Sequence, residues 1–160
     1  MNTAKKCFVT AFFAGYIPAA PGTFGTLVAF AICCSLPFLP YAAAFAAVPA
    51  LFLLLLYPAL RFSTEAESHF GKKDPQQVVI DEVLGYLLAI MFHSATFPLL
   101  AAAFLLFRFF DILKPFPINR VQCLKGGAGI VVDDLIAGVY ANITLTVLAV
   151  LSRHFGMTIL

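Results

Sequence analysis

The stretch CFVTAFFAGYIPAAPGTFGTLVAFAICCSLPFLPYAAAFAAVPALFLLLLYPAL, residues 7–60, contains no charged side chain. A transmembrane helix needs about 20 predominantly apolar residues, so this stretch is long enough for two of them. Two prolines and two glycines interrupt its first part, which predicts a loop or broken helix over residues 15–26. We therefore predict a first span at about 24–36 and a second at about 41–60, joined by a proline-rich turn.

The composition of the whole chain agrees with a membrane protein. Of its 160 residues, 62% are hydrophobic and 11% are charged, whereas soluble domains have about 45–50% apolar and about 25% charged residues. A soluble fold of this size could not bury so much apolar surface. The length predicts one membrane-embedded domain over residues 1–160. The net charge of +2 and the lack of basic runs argue against nucleic acid as a partner.

Three further apolar stretches predict three more spans, at about 78–97, 98–110 and 130–151. The fold class is therefore an all-α, polytopic integral membrane helical bundle with about five membrane helices, some of them short or broken. The positive-inside rule gives its orientation. With the N-terminus in the cytoplasm, only Arg153 lies on the far side, and the other cations fall on the cytoplasmic side: Lys5, Lys6, Arg61, Lys72, Lys73, Lys114, Arg120 and Lys125.

This topology brings acidic residues from three distant segments to the cytoplasmic membrane face. They are Asp81, Glu82, Asp111, Asp133 and Asp134. Five ionised carboxylates would repel one another, so a cation should lie among them. Arg108 and Lys114 are each three residues from Asp111 and are able to approach its side of a helix. Two cations do not balance five carboxylates, whereas a bound divalent ion would.

The predicted ligands indicate which ion and which chemistry. All-oxygen ligation without nearby cysteine or histidine favours Mg²⁺ or Mn²⁺ over Zn²⁺. Carboxylates that hold Mg²⁺ beside Arg and Lys are suited to phosphoryl chemistry. A single acidic pair at the start of a helix is more simply structural, because it suits the helix dipole. Two pairs and a third Asp at one depth favour a functional site.

Two glycine-rich elements each precede a predicted span: PGTFGT at 21–26 and GGAG at 126–129. Backbone N–H groups at a helix start can bind an anion. Neither element matches a Walker loop, and each on its own is more simply a helix breaker. Asn142 lies two turns beyond Asp134 and is expected to bond to another helix.

Four blocks of this sequence resemble the phosphatidylglycerophosphatase A family, which are bacterial membrane lipid phosphatases. The blocks are GYIPAAPGTFGT (15–26), VVIDEVLGY (78–86), FRFFDILKPFPI (107–118) and GGAGIVVDDLIAGV (126–139). They occur in the family's order, and with the spans between them they cover most of the chain. The resemblance implies hydrolysis of phosphatidylglycerophosphate to phosphatidylglycerol and phosphate, with Mg²⁺, at the cytoplasmic face of the bacterial inner membrane.

The family's acidic motif positions correspond to the five carboxylates, and its basic positions to Arg108 and Lys114. We expect Asp81, Glu82 and Asp134 to bind Mg²⁺, and Asp111 or Asp133 to orient or deprotonate the attacking water. Substrate-binding residues are expected to be Arg108, Lys114, Thr23 and Gly22.

Other functions stay open on the sequence alone. An ion-coupled membrane transporter also uses intramembrane carboxylates and broken helices, but here the carboxylates are predicted at one face and no inverted repeat is visible. A structural subunit would leave the carboxylates unexplained. A covalent aspartyl-phosphate lacks a supporting nucleophile motif. The oligomeric state, the number of metal ions and activity on other phosphomonoesters are not determined by the sequence.

Overall fold

The computed structural model describes residues 1–121 and 124–155, and every regular element in these ranges is helical. Short 3₁₀ turns occur at Ala14–Tyr16 and Leu36–Phe38. The α-helices are α1 (Thr3–Val9), α2 (Pro21–Cys33), α3 (Tyr41–Phe70), α4 (Ile80–Ile90), α5 (Phe97–Leu113), α6 (Ile118–Val121) and α7 (Gly127–His154). The predicted all-α membrane bundle is confirmed.

Three segments of the described chain are long and apolar enough to cross a membrane. They are Pro21–Phe38, which joins α2 to the second 3₁₀ turn, Tyr41–Phe70 (α3) and Gly127–His154 (α7). The count of five spans is not confirmed. Helices α4 and α5 have 11 and 17 residues, or about 17 Å and about 26 Å at 1.5 Å per residue, which is shorter than a hydrocarbon core of about 30 Å.

The N-terminal glycine-rich segment differs from its expectation. Residues 21–26 form the first turns of α2 rather than a loop. Pro21 occupies the first helical position, where its missing N–H removes no helical hydrogen bond. The two glycines are tolerated because they permit close packing: a Cβ on Gly25 would overlap Val79, and a Cβ on Gly22 would overlap Glu82. The motif thus begins a helix instead of breaking one.

Helix α3 is one continuous helix of 30 residues that includes Pro49 and Pro58. Proline is tolerated in membrane helices when neighbouring groups satisfy the freed backbone atoms. The predicted span of 41–60 is therefore only its first two thirds, and the helix continues through a charged segment to Phe70. This extension contacts the start of α7, where the Gly127 N–H donates to the Thr64 hydroxyl oxygen over 2.7 Å.

The short helix α4 lies at the centre of the bundle, and α2, α3, α5 and α7 all pack on it. Nine of its eleven residues are buried. Helices α4 and α7 approach each other closely, since a Cβ on Gly138 would overlap the Gly85 carbonyl oxygen and a Cβ on Gly85 would come 2.8 Å from the Asp134 carbonyl oxygen. Small residues of this kind let membrane helices approach closely.

The far end of α4 is fixed by a side chain of α7. The Asn142 amide donates to the carbonyl oxygens of Leu88, Ala89 and Met91 over 3.0, 3.1 and 2.9 Å. They lie at the helix C-terminus, where carbonyls lack i+4 donors, although the Leu88 oxygen also accepts from the Met91 N–H over 3.3 Å. The expected bond from Asn142 to another helix is confirmed, and it sets the register in which the acidic starts of α4 and α7 face each other.

Candidate functional site

Three carboxylates from two helices converge at the N-terminal ends of α4 and α7. One oxygen each of Asp81, Glu82 and Asp134 lies within 4.8 Å of the other two. Asp81 and Glu82 lie in the first turn of α4, where a carboxylate is favoured by the helix dipole. Asp134 lies two turns into α7, and the close Gly85–Gly138 contact brings it against α4.

Asp81 and Asp134 are buried, Glu82 is partly buried, and each of the three has one carboxylate oxygen without a hydrogen-bond partner in the described part of the chain. Asp81 and Asp134 are 7% and 4% exposed. Asp81 Oδ1, Glu82 Oε2 and Asp134 Oδ2 are buried oxygens with no hydrogen-bond partner within the described part of the chain. A buried, unpaired carboxylate is costly unless it is paired or binds a metal ion. Three such oxygens in a purely carboxylate set fit Mg²⁺, which prefers oxygen ligands.

The other two predicted acidic residues are held by cations. Asp111 Oδ2 lies 2.6 Å from Arg108 Nη1, and Asp133 Oδ2 accepts a hydrogen bond of 2.8 Å from Lys114 Nζ. Asp133 also accepts from the Asp134 N–H through Oδ1, over 3.1 Å. Asp111 and Asp133 thus belong to two distinct ion pairs.

The pairing of Lys114 corrects the expectation that both cations approach Asp111 along one helix. Helix α5 ends at Leu113, and Lys114 adopts a left-handed conformation with φ 46°. Pro115 follows, and a helix seldom continues into a residue that precedes proline. The chain therefore turns, and the Lys114 side chain reaches Asp133 on α7 instead.

The site opens into a cavity of about 170 Å³. Its lining includes all five predicted acidic residues, together with Lys114, Gly22 and Pro21. Burial lowers the pKa of Lys114, but the hydrogen bond from Lys114 to Asp133 and the surrounding carboxylate charges outweigh this effect. The pKa of Lys114 is therefore above its ordinary value, and the side chain is a cation in this cavity.

Two predicted substrate-binding residues occupy different positions. Thr23 is not part of the cavity lining in the described structure. Arg108 does not line the cavity either, although a Cβ on Gly22, which does, would come 3.2 Å from Arg108 Nη1. Arg108 Nε is buried with no hydrogen-bond partner among residues 1–121 and 124–155.

Sequence reasoning missed two polar residues at the cavity. Neither Asp74 nor Gln76 was singled out from the sequence, yet both contribute to the lining. The pKa of Asp74 is raised, first because surrounding protein reduces its hydration and second because Asp133 carries a like charge. No motif marks them; the only signal is their position in the loop that leads directly into Asp81.

Comparison with known proteins gives one family and several relatives. The model of the family described as phosphatidylglycerophosphatase A matches residues 7–149. A Haemophilus influenzae phosphatidylglycerophosphatase A is 37% identical over 137 residues, covering 84% of this chain and 82% of that protein. The Escherichia coli protein of the same name is 30% identical over 162 residues, covering 100% of this chain and 90% of its own length.

A Bacteroides thetaiotaomicron protein is 39% identical over 142 residues, covering 86% of this chain and 89% of that protein. It carries the provisional name phosphatidylinositol-3-phosphatase. No solved structure matches this chain.

Proposed function

Because this chain belongs to the phosphatidylglycerophosphatase A family, we propose that it hydrolyses the terminal phosphomonoester of phosphatidylglycerophosphate. The products are phosphatidylglycerol and phosphate. The observation that carries the proposal is the convergence of three carboxylates, two buried and one partly buried, with one oxygen of each within 4.8 Å of the others, in a cavity that a lysine also lines. Family membership favours this phosphatase over the ion-coupled transporter that the sequence alone left open.

Asp81, Glu82 and Asp134 would hold Mg²⁺, since their unpartnered oxygens fit an oxygen-seeking ion. When bound, Mg²⁺ would polarise the phosphate and lower the pKa of a bound water. Side chains of the protein would bind the phosphate. Lys114 lines the cavity as a cation and would bind the terminal phosphate, and Arg108, whose Nη1 lies close to Gly22 of the lining, would be the second cation near it.

Asp111 or Asp133 would orient the attacking water. Each already contacts a cation, Arg108 in one case and Lys114 in the other. A carboxylate held in this way keeps a fixed orientation, because its rotation would break the ion pair. Both residues line the cavity, so either can place a water against a phosphate that Lys114 binds, and the two roles are separable only by measurement.

We further propose that the cavity faces the cytoplasm in a bacterial inner membrane. Most of the Lys and Arg side chains lie in segments at the carboxylate end of the bundle, including Lys5, Arg61 and Lys114. Arg153, near the end of α7, lies at the opposite end. This asymmetry follows the positive-inside rule. Sealed inside-out vesicles should hydrolyse added substrate, and right-side-out vesicles should not until they are opened.

A second substrate follows from the Bacteroides relative, whose provisional name indicates a phosphatidylinositol phosphate. Both lipids present a phosphomonoester on a polar head group, and the same cavity chemistry applies to each. The inositol ring is bulkier than glycerol. The substrate preference therefore has to be measured directly rather than taken from the name of either relative.

The test is phosphate release from each lipid in detergent micelles, with Mg²⁺ and then with EDTA. We expect Mg²⁺-dependent release from phosphatidylglycerophosphate, and its loss in Asp134→Asn. Glu65→Gln is a matched control, because Glu65 is an acid on α3 that pairs with Lys5 at 2.6 Å, outside the cavity lining. Equal activity in EDTA would remove the metal from the proposal, and release only from the inositol lipid would replace the substrate.

A further inference from the structure

An apolar groove that is distinct from the carboxylate cavity runs between α2 and α3. It consists of two adjoining cavities of about 190 Å³ and about 200 Å³ that share Ile32, Leu51 and Leu87. The first is lined only by apolar residues. In the second, the Ser35 hydroxyl is satisfied because it donates to the Ile32 carbonyl oxygen over 2.8 Å. Water would find almost no polar partner in this groove.

The groove exists because α2 and α3 both pack on α4 and pack far less on each other. Its floor is the face of α4 that carries Ile80, Val83 and Leu87. Its walls are two of the three helices long enough to cross a membrane. An open apolar channel between two membrane-spanning helices is in contact with lipid, so hydrocarbon chains are what can enter it.

The length of the groove is close to the thickness of one leaflet. Along α3, which is one continuous helix, its lining extends from Ala47 to Leu55, which is about 12 Å at 1.5 Å per residue. Half of a hydrocarbon core of about 30 Å is about 15 Å. A single extended acyl chain is therefore long enough to fill the groove from end to end.

The groove begins where the candidate active site begins. Ile80 lines the groove and its neighbour Asp81 lines the carboxylate cavity, so the two sites meet at the first turn of α4. Ala11 and Phe12, which close this end of the groove, follow Val9, whose carbonyl oxygen accepts from the Val79 N–H over 2.9 Å. A lipid whose head group occupies the cavity would have a chain at the entrance of the groove.

We propose that this groove binds one acyl chain of the phospholipid substrate and so positions the head group in the carboxylate cavity. The inference rests on the proposed function. It assigns a role to α2 and α3 that differs from the role of the carboxylates. These two helices select a diacyl lipid over a water-soluble phosphomonoester with the same head group. A lipid of the surrounding bilayer that enters without preference is the alternative occupant.

The test compares two tryptophan substitutions on α3. Leu51→Trp fills the groove at the position shared by both cavities. Leu54→Trp is the matched control, because Leu54 lies on the same helix, is 71% exposed and does not line the groove. Each variant is assayed with a long-chain phosphatidylglycerophosphate and with a soluble short-chain analogue that bears the same head group.

We expect Leu51→Trp to raise KM for the long-chain lipid by about tenfold, which corresponds to about two methylene groups left unburied. KM for the short-chain analogue should stay unchanged, and Leu54→Trp should match the native protein on both substrates. Equal KM values for the two variants on the long-chain lipid would overturn the inference. Absence of phosphate release from either substrate by the native protein would instead overturn the proposed function.

A second measurement is independent of catalysis and of the folding of any variant. The native protein in EDTA is irradiated with phosphatidylglycerophosphate that carries a diazirine near the end of one acyl chain. With the labelled position identified residue by residue, we expect the label at groove residues such as Leu36 or Leu51, and competition by unlabelled substrate but not by phosphatidylcholine. Labelling spread over exposed positions such as Leu54, or equal competition by both lipids, would show that the groove holds bilayer lipid without preference.

Discussion

Replacement of Arg108 by methionine is expected to destabilise the protein strongly, because it leaves Asp111 without its counter-charge. Arg108 Nη1 and Asp111 Oδ2 are 2.6 Å apart, and the two side chains are only 15% and 12% exposed. Methionine keeps most of the volume and removes the charge. Removal of one partner from a buried ion pair costs about 3–5 kcal/mol. Because Asp111 lines a cavity that reaches water, we expect about 3 kcal/mol, at the lower end of that range.

The free energy of unfolding is measured in detergent, with circular dichroism as the signal. The double variant Arg108→Met, Asp111→Leu should recover most of the lost stability, since no buried charge is left alone. Phosphate release should be absent in both variants. Lys5→Met is the control, because Lys5 and Glu65 are also 2.6 Å apart but are 32% and 35% exposed, and exposed pairs contribute little.

Two results would refute this reasoning. Equal stability losses in Arg108→Met and Lys5→Met would show that burial does not determine the strength of these pairs. A double variant as unstable as Arg108→Met would show that the loss comes from packing of the arginine stem and not from an unpaired carboxylate. Full activity in the double variant would remove Arg108 and Asp111 from the site.

Three further changes test other contacts. Gly22→Ala adds a Cβ that overlaps Glu82 Oε1 and should displace this carboxylate. We therefore expect half-maximal activation to need about tenfold more Mg²⁺. An unchanged Mg²⁺ titration would show that Glu82 is not a ligand. Asn142→Leu removes the amide that donates to three carbonyls at the end of α4, and should lower the free energy of unfolding by about 1–3 kcal/mol. An unchanged unfolding curve would mean that water replaces the amide. Thr64→Val keeps the shape of the side chain but removes the acceptor of the Gly127 N–H. It should lower the free energy of unfolding by about 1 kcal/mol and speed amide exchange at the start of α7. Unchanged exchange would show that this hydrogen bond does not stabilise the helix start.

The grouping of the carboxylates was predictable from sequence because it depends on position along the chain alone. Each acidic residue lies close to one end of an apolar stretch, so the direction of each stretch assigns its end of the bundle. This argument placed Asp81, Glu82 and Asp134 together, and the structure brings their oxygens within 4.8 Å. The resemblance to a family added the roles of individual residues, which position alone does not contain.

Features that depend on tertiary contacts were not predictable in this way. Lys114 was expected beside Asp111, because sequence spacing assumes that the helix continues, and the helix ends one residue earlier. Residues 21–26 resemble a loop because local propensity penalises glycine, whereas packing against Val79 and Glu82 makes the same glycines useful. The prediction of five spans assumed that every apolar stretch crosses the bilayer. A helix that is buried among other helices, such as α4, is equally apolar, but it does not need the length of a membrane span.

The hydrogen bond between Gly127 and Thr64 fixes the position of the candidate carboxylates along the helix axis relative to the charged part of α3. Thr64 is three residues beyond Arg61, where the charged part of α3 begins, and Asp134 is seven residues into α7 from Gly127. Counting along both helices puts Asp134 about 6 Å on the hydrocarbon side of Arg61. Under the proposed function, the substrate phosphate must therefore move from the plane of the head groups toward the hydrocarbon core, or the bilayer must become locally thinner around the protein. Bilayer thickness would then act on this reaction as a rate-controlling variable, and short-chain or loosely packed membranes should support faster turnover than thick, ordered ones.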